Sequence, residues 1–391
     1  MGPQLDLYLL RNSCRKVLDH LSILRSRFVP LDDQWFQIIL HDLDLPFSVH
    51  DVNESLDEAS HAICMQDIER TDPLEVPTSF KVVRYKSTHN RLIIRLSHAQ
   101  YDGVSFPIIL RTLISTYQQE PLHPVAEFST FLAHARKIQT LSGRYWRELL
   151  QGSRPIRVTE KLRLQVQEDI SPRLVSVEKY MDAPRLPEGI TMASLISSAW
   201  ALVLAHITGE QDIVFGHLVA GRNSDIPEVA EIVGPCLNVI PVRTLVYPIK
   251  TSKDLIQSVQ DQHVSLGESD SMGWDEIVKD CTDWPAGTMY DSLVQHQNII
   301  ARPEISFAGV TAKLNWFQNP FGEAPFLFLF SEPEDSQLKI MISGNTHFLT
   351  VERASLLVDM LAQTAQALSY SPQASLASHR LSLPGCAFND G

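Results

Sequence analysis

ASLISSAWALVLAHITGEQDIVFGHLV, residues 193–219, is the stretch that decides the fold. Residues 193–207 are apolar around most of a helical circumference, which predicts a helix buried on all sides. DIVFGHLV (212–219) predicts a strand, AGRNSDIPEVAEIVGP (220–235) a loop, and CLNVIPVR (236–243) a further strand. Helix and strands in such close succession point to mixed α and β structure.

The same pattern continues outward in both directions. Leu9, Leu10, Val17, Leu21 and Leu24 recur at helical spacing within residues 5–24. FKVVRYK (80–86) and RLIIRLSH (91–98) predict two strands around the polar turn STHN. The second is apolar apart from its arginines and is expected at the centre of a sheet. FPIILRTLISTYQQ (106–119) predicts a helix with Ile109, Leu110, Leu113, Ile114 and Tyr117 on one face. Residues 150–172 are polar, include two prolines and lack a period, as expected of a crossing between two lobes. Beyond it, residues 252–266 predict a helix capped by Thr251 and Asp254, and 351–369 a helix capped by Thr350. Strands are expected near 291–300, 325–331 and 337–343. The chain turns rich in Ser, Pro and Ala after residue 370. The expected organisation is a first lobe over 1–150, a crossing over 151–175, a second lobe over 176–370 and a tail over 371–391.

Composition narrows the function classes. The 391 residues carry a formal net charge of −13, which argues against a nucleic-acid surface. No apolar run reaches about 18 residues, so no membrane span is expected. The first residues, MGPQLDLYLLRNSCRK, lack the basic-then-apolar pattern of a secretory signal. The five cysteines (Cys14, Cys64, Cys236, Cys281, Cys386) are scattered, fit a reducing cytoplasm and form no metal-ligand spacing; no metal is expected.

Chemistry concentrates in SHAQYDG, residues 97–103. His98 follows an apolar strand, where a rigid scaffold presents side chains to a cleft, and histidine is suited to proton transfer near neutral pH. Taken alone, a histidine at a strand end is more often a satisfied surface or core residue than a catalyst. Asp102 and Gly103 form a tight turn in which the carboxylate either stabilises the turn or pairs with a distant arginine. Ser97 adjoins His98, but neighbouring strand residues face opposite sides, which favours a serine bonded to backbone over a nucleophile. His217 and His296 read as packing residues, and His206, inside the apolar helix, as a core histidine.

Several stretches also share one order along the chain: DHLSILRSRF (19–28), SHAQYDG (97–103), FSTFLAHARK (128–137), YWRELLQG (145–152), the segment 190–222, IVGPCLNVIPVR (232–243) and LVQHQN (293–298). In that order they resemble the motifs of nonribosomal peptide synthetase condensation domains. SHAQYDG matches the HHxxxDG signature with Ser97 in place of the first histidine, a form found in fungal members that include terminal cyclising and siderophore-synthetase domains. The family's opening motif, around SxAQxxLW, is absent, so the first lobe is expected to be shortened. LGESDS (266–271) has an extra residue relative to a phosphopantetheine attachment site and is not read as one.

The resemblance implies a fold of two chloramphenicol-acetyltransferase-like lobes forming a V-shaped pseudo-dimer around a central tunnel. It implies His98 as the catalytic residue, an Asp102–Arg222 pair with Gly103 supporting the site, and Ser97 and Asn298 along the substrate tunnel. Backbone N–H groups near Gly103 are candidates to stabilise an oxyanion. No cofactor is expected to bind directly; substrates come on the phosphopantetheine of peptidyl or aminoacyl carrier domains, with an adenylation domain as a further partner. The implied reaction is amide or ester formation in the cytoplasm. Two other readings stay open: a CoA-dependent acyltransferase of the same superfamily, in which DFGWG is usual where this chain has NWFQNPFGEAP, and an inactive docking platform.

Overall fold

Asp6 accepts a hydrogen bond from the Leu9 backbone N–H (2.9 Å) and so opens the first helix, α1 (Leu7–His20). The structure, a computed structural model, describes residues 5–32, 34–53, 55–70, 72, 74–85, 89–164, 171–246, 249–298, 305–307, 309–317 and 325–376. After α1 come β1 (Ser26–Leu31), β2 (Gln34–Ile39), β3 (Phe47–Val52), α2 (Leu56–Arg70), β4 (Ser79–Tyr85) and β5 (His89–Arg95). Then follow α3 (Ser105–Gln118), β6 (Ala126–Glu127) and α4 (Phe128–Leu150). Leu10, Cys14, Val17 and Leu18 line one face of α1 and are fully buried with Ile109 and Leu113 of α3 and Phe80 and Val82 of β4. Each such side chain contributes about 1.5–3 kcal/mol of burial.

The sheet of this region has the order β3-β4-β5, with β3 parallel and β5 antiparallel to β4. The RLIIR strand is therefore at the edge of the described sheet and not at its centre, as its apolar run had suggested. Residues 91–95 are only half-buried, whereas Phe80, Val82 and Val83 of β4 are fully buried, as suits an edge strand beside a central one. Arg91 pairs with Asp57 (2.5 Å) and Arg95 with Asp67 (3.2 Å), both on α2.

The chain continues with α5 (Val158–Lys161), β7 (Leu174–Asp182), α6 (Met192–Thr208), β8 (Asp212–Val219), β9 (Ile232–Val233) and β10 (Asn238–Leu245). Then come α7 (Ser252–Ser265), α8 (Trp274–Cys281), β11 (Ser292–His296), β12 (Ile305–Phe307), β13 (Val310–Ala312), β14 (Leu327–Glu334), β15 (Gln337–Asn345) and α9 (Val351–Tyr370). Six strands form one mixed sheet in the order β10-β8-β11-β14-β15-β7, in which β8, β11 and β14 run parallel. The helix α6 is buried along nearly its whole length, as the opening stretch predicts, and shares a core with β8, α7 and α9. Thr191, Thr251 and Thr350 cap α6, α7 and α9 by accepting the backbone N–H groups of Ser194, Asp254 and Arg353.

Contacts divide the chain into two units: Met1–His134 with Asp225–Cys236 and Ile299–Asn319, and Ala135–Ser224 with Leu237–Asn298 and Pro320–Gly391. The division falls inside α4, and two excursions of the later chain belong with the first unit, whereas the sequence suggested contiguous lobes. The first excursion is pinned by a short parallel pair, β6 with β9, and by Arg111 donating to Glu231 (2.5 Å). Gly234 lies in it because a Cβ there would come within 2.6 Å of the Phe128 ring. Residues 371–376, expected to open the tail, dock on the second unit: Lys253 N–H donates to Pro372 O (2.8 Å) and Leu376 N–H to Lys250 O (3.0 Å). The rest of that tail, with Cys386, lies outside the described residues, as do 165–170 of the expected crossing and 318–324 of the NWFQNPFGEAP stretch. Among the described residues, no helix is long and apolar enough to cross a membrane, and no cluster fit to hold a metal ion occurs.

Candidate active site

The SHAQYDG stretch forms a loop between β5 and α3. The strand ends at Arg95, so His98 lies beyond it, in a turn closed by Gln100 N–H donating to Ser97 O (2.8 Å). Strand alternation therefore does not govern Ser97 and His98. Ser97 is half-buried, and its Oγ accepts the Ala99 N–H (3.2 Å), the backbone role expected of it. His98 and Ala99 form the exposed tip.

Gln100 anchors the turn from below. It is fully buried; its Nε2 donates to Ile23 O (3.1 Å) and Thr78 Oγ1 (3.0 Å), and its Oε1 accepts the Ser97 N–H (3.2 Å). Sequence reasoning passed over this residue, since a glutamine between a histidine and a tyrosine carries no periodic signal. The polar side chain survives burial because each end finds a partner.

Asp102 is 2% exposed and acts as a cap. Its Oδ1 accepts from Val104 N–H (3.1 Å) and Ser105 N–H (2.7 Å), while its own N–H donates to Ser105 Oγ (2.9 Å). This reciprocal arrangement starts α3, whose N-terminal end also favours a carboxylate. Oδ2 accepts the Cys236 N–H (3.0 Å), tying the first excursion to the histidine loop. The expected oxyanion role fails for two N–H groups beside Gly103, since those of Val104 and Ser105 are committed to Asp102. Gly103 itself is exposed, and a Cβ would meet nothing within 4 Å.

Aromatic rings extend from the tip. The His98 imidazole stacks on Tyr101, with centroids 4.8 Å apart and planes 16° from parallel. Tyr101 packs on Phe106 (5.6 Å), and Phe106 on Trp316 of the second excursion (4.6 Å). Burial pushes the Tyr101 phenol above its ordinary pKa, so it stays neutral.

Arg222 and Asn298 belong to the second unit. Arg222 is half-buried and follows Gly221, which takes a left-handed φ of 64°. Its neighbour Asn223 donates through Nδ2 to the buried carboxylate of Asp270 (3.0 Å). Asn298 is exposed, just past the end of β11. Ser97, His98, Asp102 and Gly103 are thus brought together in one loop of the first unit.

Other motif residues prove to be scaffold. Arg25 donates to Leu40 O (2.9 Å) and to Leu18 O, closing α1 against the β1–β2 hairpin. Arg243 forks onto Asp212 (2.9 and 2.8 Å) and also reaches Leu149 O and Gln151 O. Asn238 Nδ2 donates to Asp270 O (2.8 Å) and Met272 O (2.6 Å). His217 is buried in β8, as a packing role requires, but His206 is half-buried and not in the core.

The sequence model described as "Condensation domain" matches residues 1–384. The chain belongs to the condensation-domain family. It is 43% identical to a nonribosomal peptide synthetase named TES from Alternaria alternata, over 95% of this chain and 7% of that protein. It is 41% identical to the nonribosomal peptide synthetase dtxS1 of Metarhizium robertsii, over 93% of this chain and 4% of that protein. The condensation domain thus spans less than a tenth of these fungal relatives, which are large synthetases. Among solved structures, that titled holo T3CT is 28% identical with a TM-score of 0.84, covering 96% of this chain and 87% of its own. A starter condensation domain of rhizomide synthetase matches at 18% identity with a TM-score of 0.73, over 96% of this chain and 89% of its own, and shows the shared fold. Condensation domains are acyl-transferring enzymes that act on phosphopantetheine-carried substrates.

Proposed function

We propose that this condensation domain joins an acyl or peptidyl group, carried as a thioester on a phosphopantetheine arm, to an amine or alcohol, with His98 as the catalytic residue. The nucleophile adds to the thioester carbonyl, the C–S bond breaks, and the carrier thiol leaves. The proton lost by the nucleophile passes to His98 and from it to the departing sulfur, so the enzyme returns unchanged. A thioester is already activated, and bringing two substrates together supplies much of the acceleration.

The observation that carries this reading is an exposed imidazole on a turn fixed from beneath by Gln100 and from behind by Asp102. A rigid loop presenting a proton-transfer group to solvent-accessible space is what such a step requires. Ser97 is not a nucleophile in this scheme: its Oγ accepts the Ala99 N–H, a backbone role, and attack on an already activated thioester needs no covalent acyl-enzyme. Arg222 supports the site and Asn298 contacts substrate. Carrier domains, with an adenylation domain to load them, are the partners, and the cytoplasm is the compartment. The nucleophile is either a second carrier-bound substrate or the far end of the same acyl chain, which would close a ring.

The test is to load one acyl group on CoA and on a carrier protein and compare product formation by the purified domain. The carrier-bound donor is expected to react at least tenfold faster. Equal rates with free acyl-CoA would favour a CoA-dependent acyltransferase instead, and no product from either donor would indicate an inactive platform.

A further inference from the structure

A histidine that moves protons must hold one orientation through the reaction. The usual device is a hydrogen bond from one ring nitrogen to a carboxylate or carbonyl, which leaves the other nitrogen for the substrate. The carboxylate of the same loop, Asp102, serves the backbone: Oδ1 accepts two N–H groups and Oδ2 a third. Among the described residues, neither nitrogen of His98 makes a hydrogen bond. The imidazole is gripped by its face. It lies nearly parallel to the Tyr101 ring at 4.8 Å, a spacing at which offset aromatic rings attract.

The support beneath that contact is built in depth. Tyr101 is half-buried and rests on Phe106, which is 8% exposed. Phe106 in turn meets Trp316, so the excursion after β13 closes the far end of a four-ring column. The lower rings are fixed by α3 and its cap, and the top ring inherits its plane from them.

We infer that Tyr101 is a positioning residue that orients the His98 imidazole by stacking, leaving both ring nitrogens open to the reactants. The inference rests on the reading of His98 as the catalytic residue. It gives that residue an orienting device that does not depend on a carboxylate partner. Open nitrogens suit a group that takes a proton from the nucleophile and returns it to the leaving thiol, because either nitrogen can serve without a tautomer being fixed.

The test compares Tyr101→Phe and Tyr101→Leu in the folded domain. Tyr101→Leu keeps much of the volume but removes the π face; it is expected to lower kcat about 3- to 10-fold with KM little changed. Tyr101→Phe keeps the face and is expected to stay within about twofold of the parent. A second readout is independent of turnover: the ring-proton NMR resonances of His98, assigned by their loss in His98→Gln. Tyr101 should shift them upfield, Tyr101→Phe should preserve the shift, and Tyr101→Leu should abolish it. Tyr101→Met, which also lacks a π face, should likewise abolish the shift and serves if Tyr101→Leu does not fold, whereas Trp316→Leu, two rings away, should change the shift only slightly. His98 resonances unchanged in Tyr101→Leu would overturn the inference. So would equal loss of kcat in both Tyr101 variants, which would point to the phenol hydroxyl. If His98→Ala proves fully active, the catalytic reading falls, while loss of the shift in Tyr101→Leu would still establish the stack.

Discussion

His98 of the first unit and His217 of the second are held in opposite ways. In the first, His98 stands at an exposed loop tip and is held by its face against Tyr101. In the second, His217 is 4% exposed, and its Nδ1 lies 3.1 Å from His263 Nε2 and 3.4 Å from Ser197 Oγ. His263 Nδ1 lies 2.9 Å from Ser194 Oγ, and His296 Nδ1 lies 2.9 Å from Ser331 Oγ. These rings are gripped by their nitrogens. Burial pushes the pKa of His263 down to about 4, and burial together with the neighbouring His263 and His296 pushes His217 well below its ordinary value. The cluster is uncharged at neutral pH, and its bonded nitrogens meet serine hydroxyls or, for His217 and His263, each other. The histidine proposed to be catalytic and a structural one thus differ in which part of the ring the protein uses.

The largest effect that bears on this contrast is His98→Ala. General acid–base groups contribute about 10²–10⁴-fold, so product formation should fall by that factor. The melting temperature should hardly change, since an exposed tip ring contributes little to packing. The same substitution at His217 should do the reverse, lowering the melting temperature while the folded fraction keeps its rate. Wild-type turnover by His98→Ala, measured on protein with an unaltered melting temperature, would break the comparison.

A second test concerns the acidic residue of the same loop. Asp102 serves the backbone, so Asp102→Ala should act mainly on stability. It removes the cap of α3 and one of the two acceptors of the buried Cys236 N–H, which also donates to Gly234 O (3.0 Å), a combined cost of about 1–2 kcal/mol. Asp102→Asn keeps Oδ1 as an acceptor and should cost roughly half as much. Denaturant titration of both variants checks the order. A loss of turnover in Asp102→Asn as large as that in His98→Ala, with stability intact, would instead give the carboxylate a direct part in the chemistry.

The second unit was more legible in the sequence than the first. Its buried helix α6, the strand β8 and the capped helices α7 and α9 announce themselves through unbroken apolar pattern and a cap residue at the right offset. In the first unit, β1, β2 and α2 were not read as elements. Trp35, Phe36, Ile38 and Ile39 keep large exposed areas, so β2 lacks the alternation that marks a half-buried strand. The site was legible as a motif but not as a mechanism. His98 stood out because titratable groups after apolar runs do. Gln100, the capping geometry of Asp102 and the stack on Tyr101 depend on where Ile23, Thr78, Cys236 and Trp316 come to lie, and those positions are tertiary.

The smallest effect at neutral pH is the most discriminating on acidification. His263 titrates near 4 in the folded chain against 6.5 in the unfolded one, so the unfolded chain binds the proton more readily. Its stabilising contribution is fully present above pH 6.5 and is lost as the pH falls toward 4, by about 2–3 kcal/mol after allowance for its partial exposure. Asp270 runs the other way. Burial raises it to about 6 from an ordinary 3.8, with Asn223 opposing and Glu268 adding to the shift, so its contribution is full below 3.8 and lost as the pH rises through about 6. His263→Gln, whose amide can meet Ser194 and His217, should therefore match the parent at pH 7.5 and lose less of its melting temperature between pH 6.5 and 4. Asp270→Asn, which keeps an acceptor for Asn223, should gain stability above pH 6 and leave the acid limb near pH 4 unchanged. Opposite slopes in the two variants would confirm that the second unit's buried groups act through their charge state. A His263→Gln profile parallel to the parent's at every pH would show that its nitrogens are not held neutral, and the contrast with His98 would lose its basis.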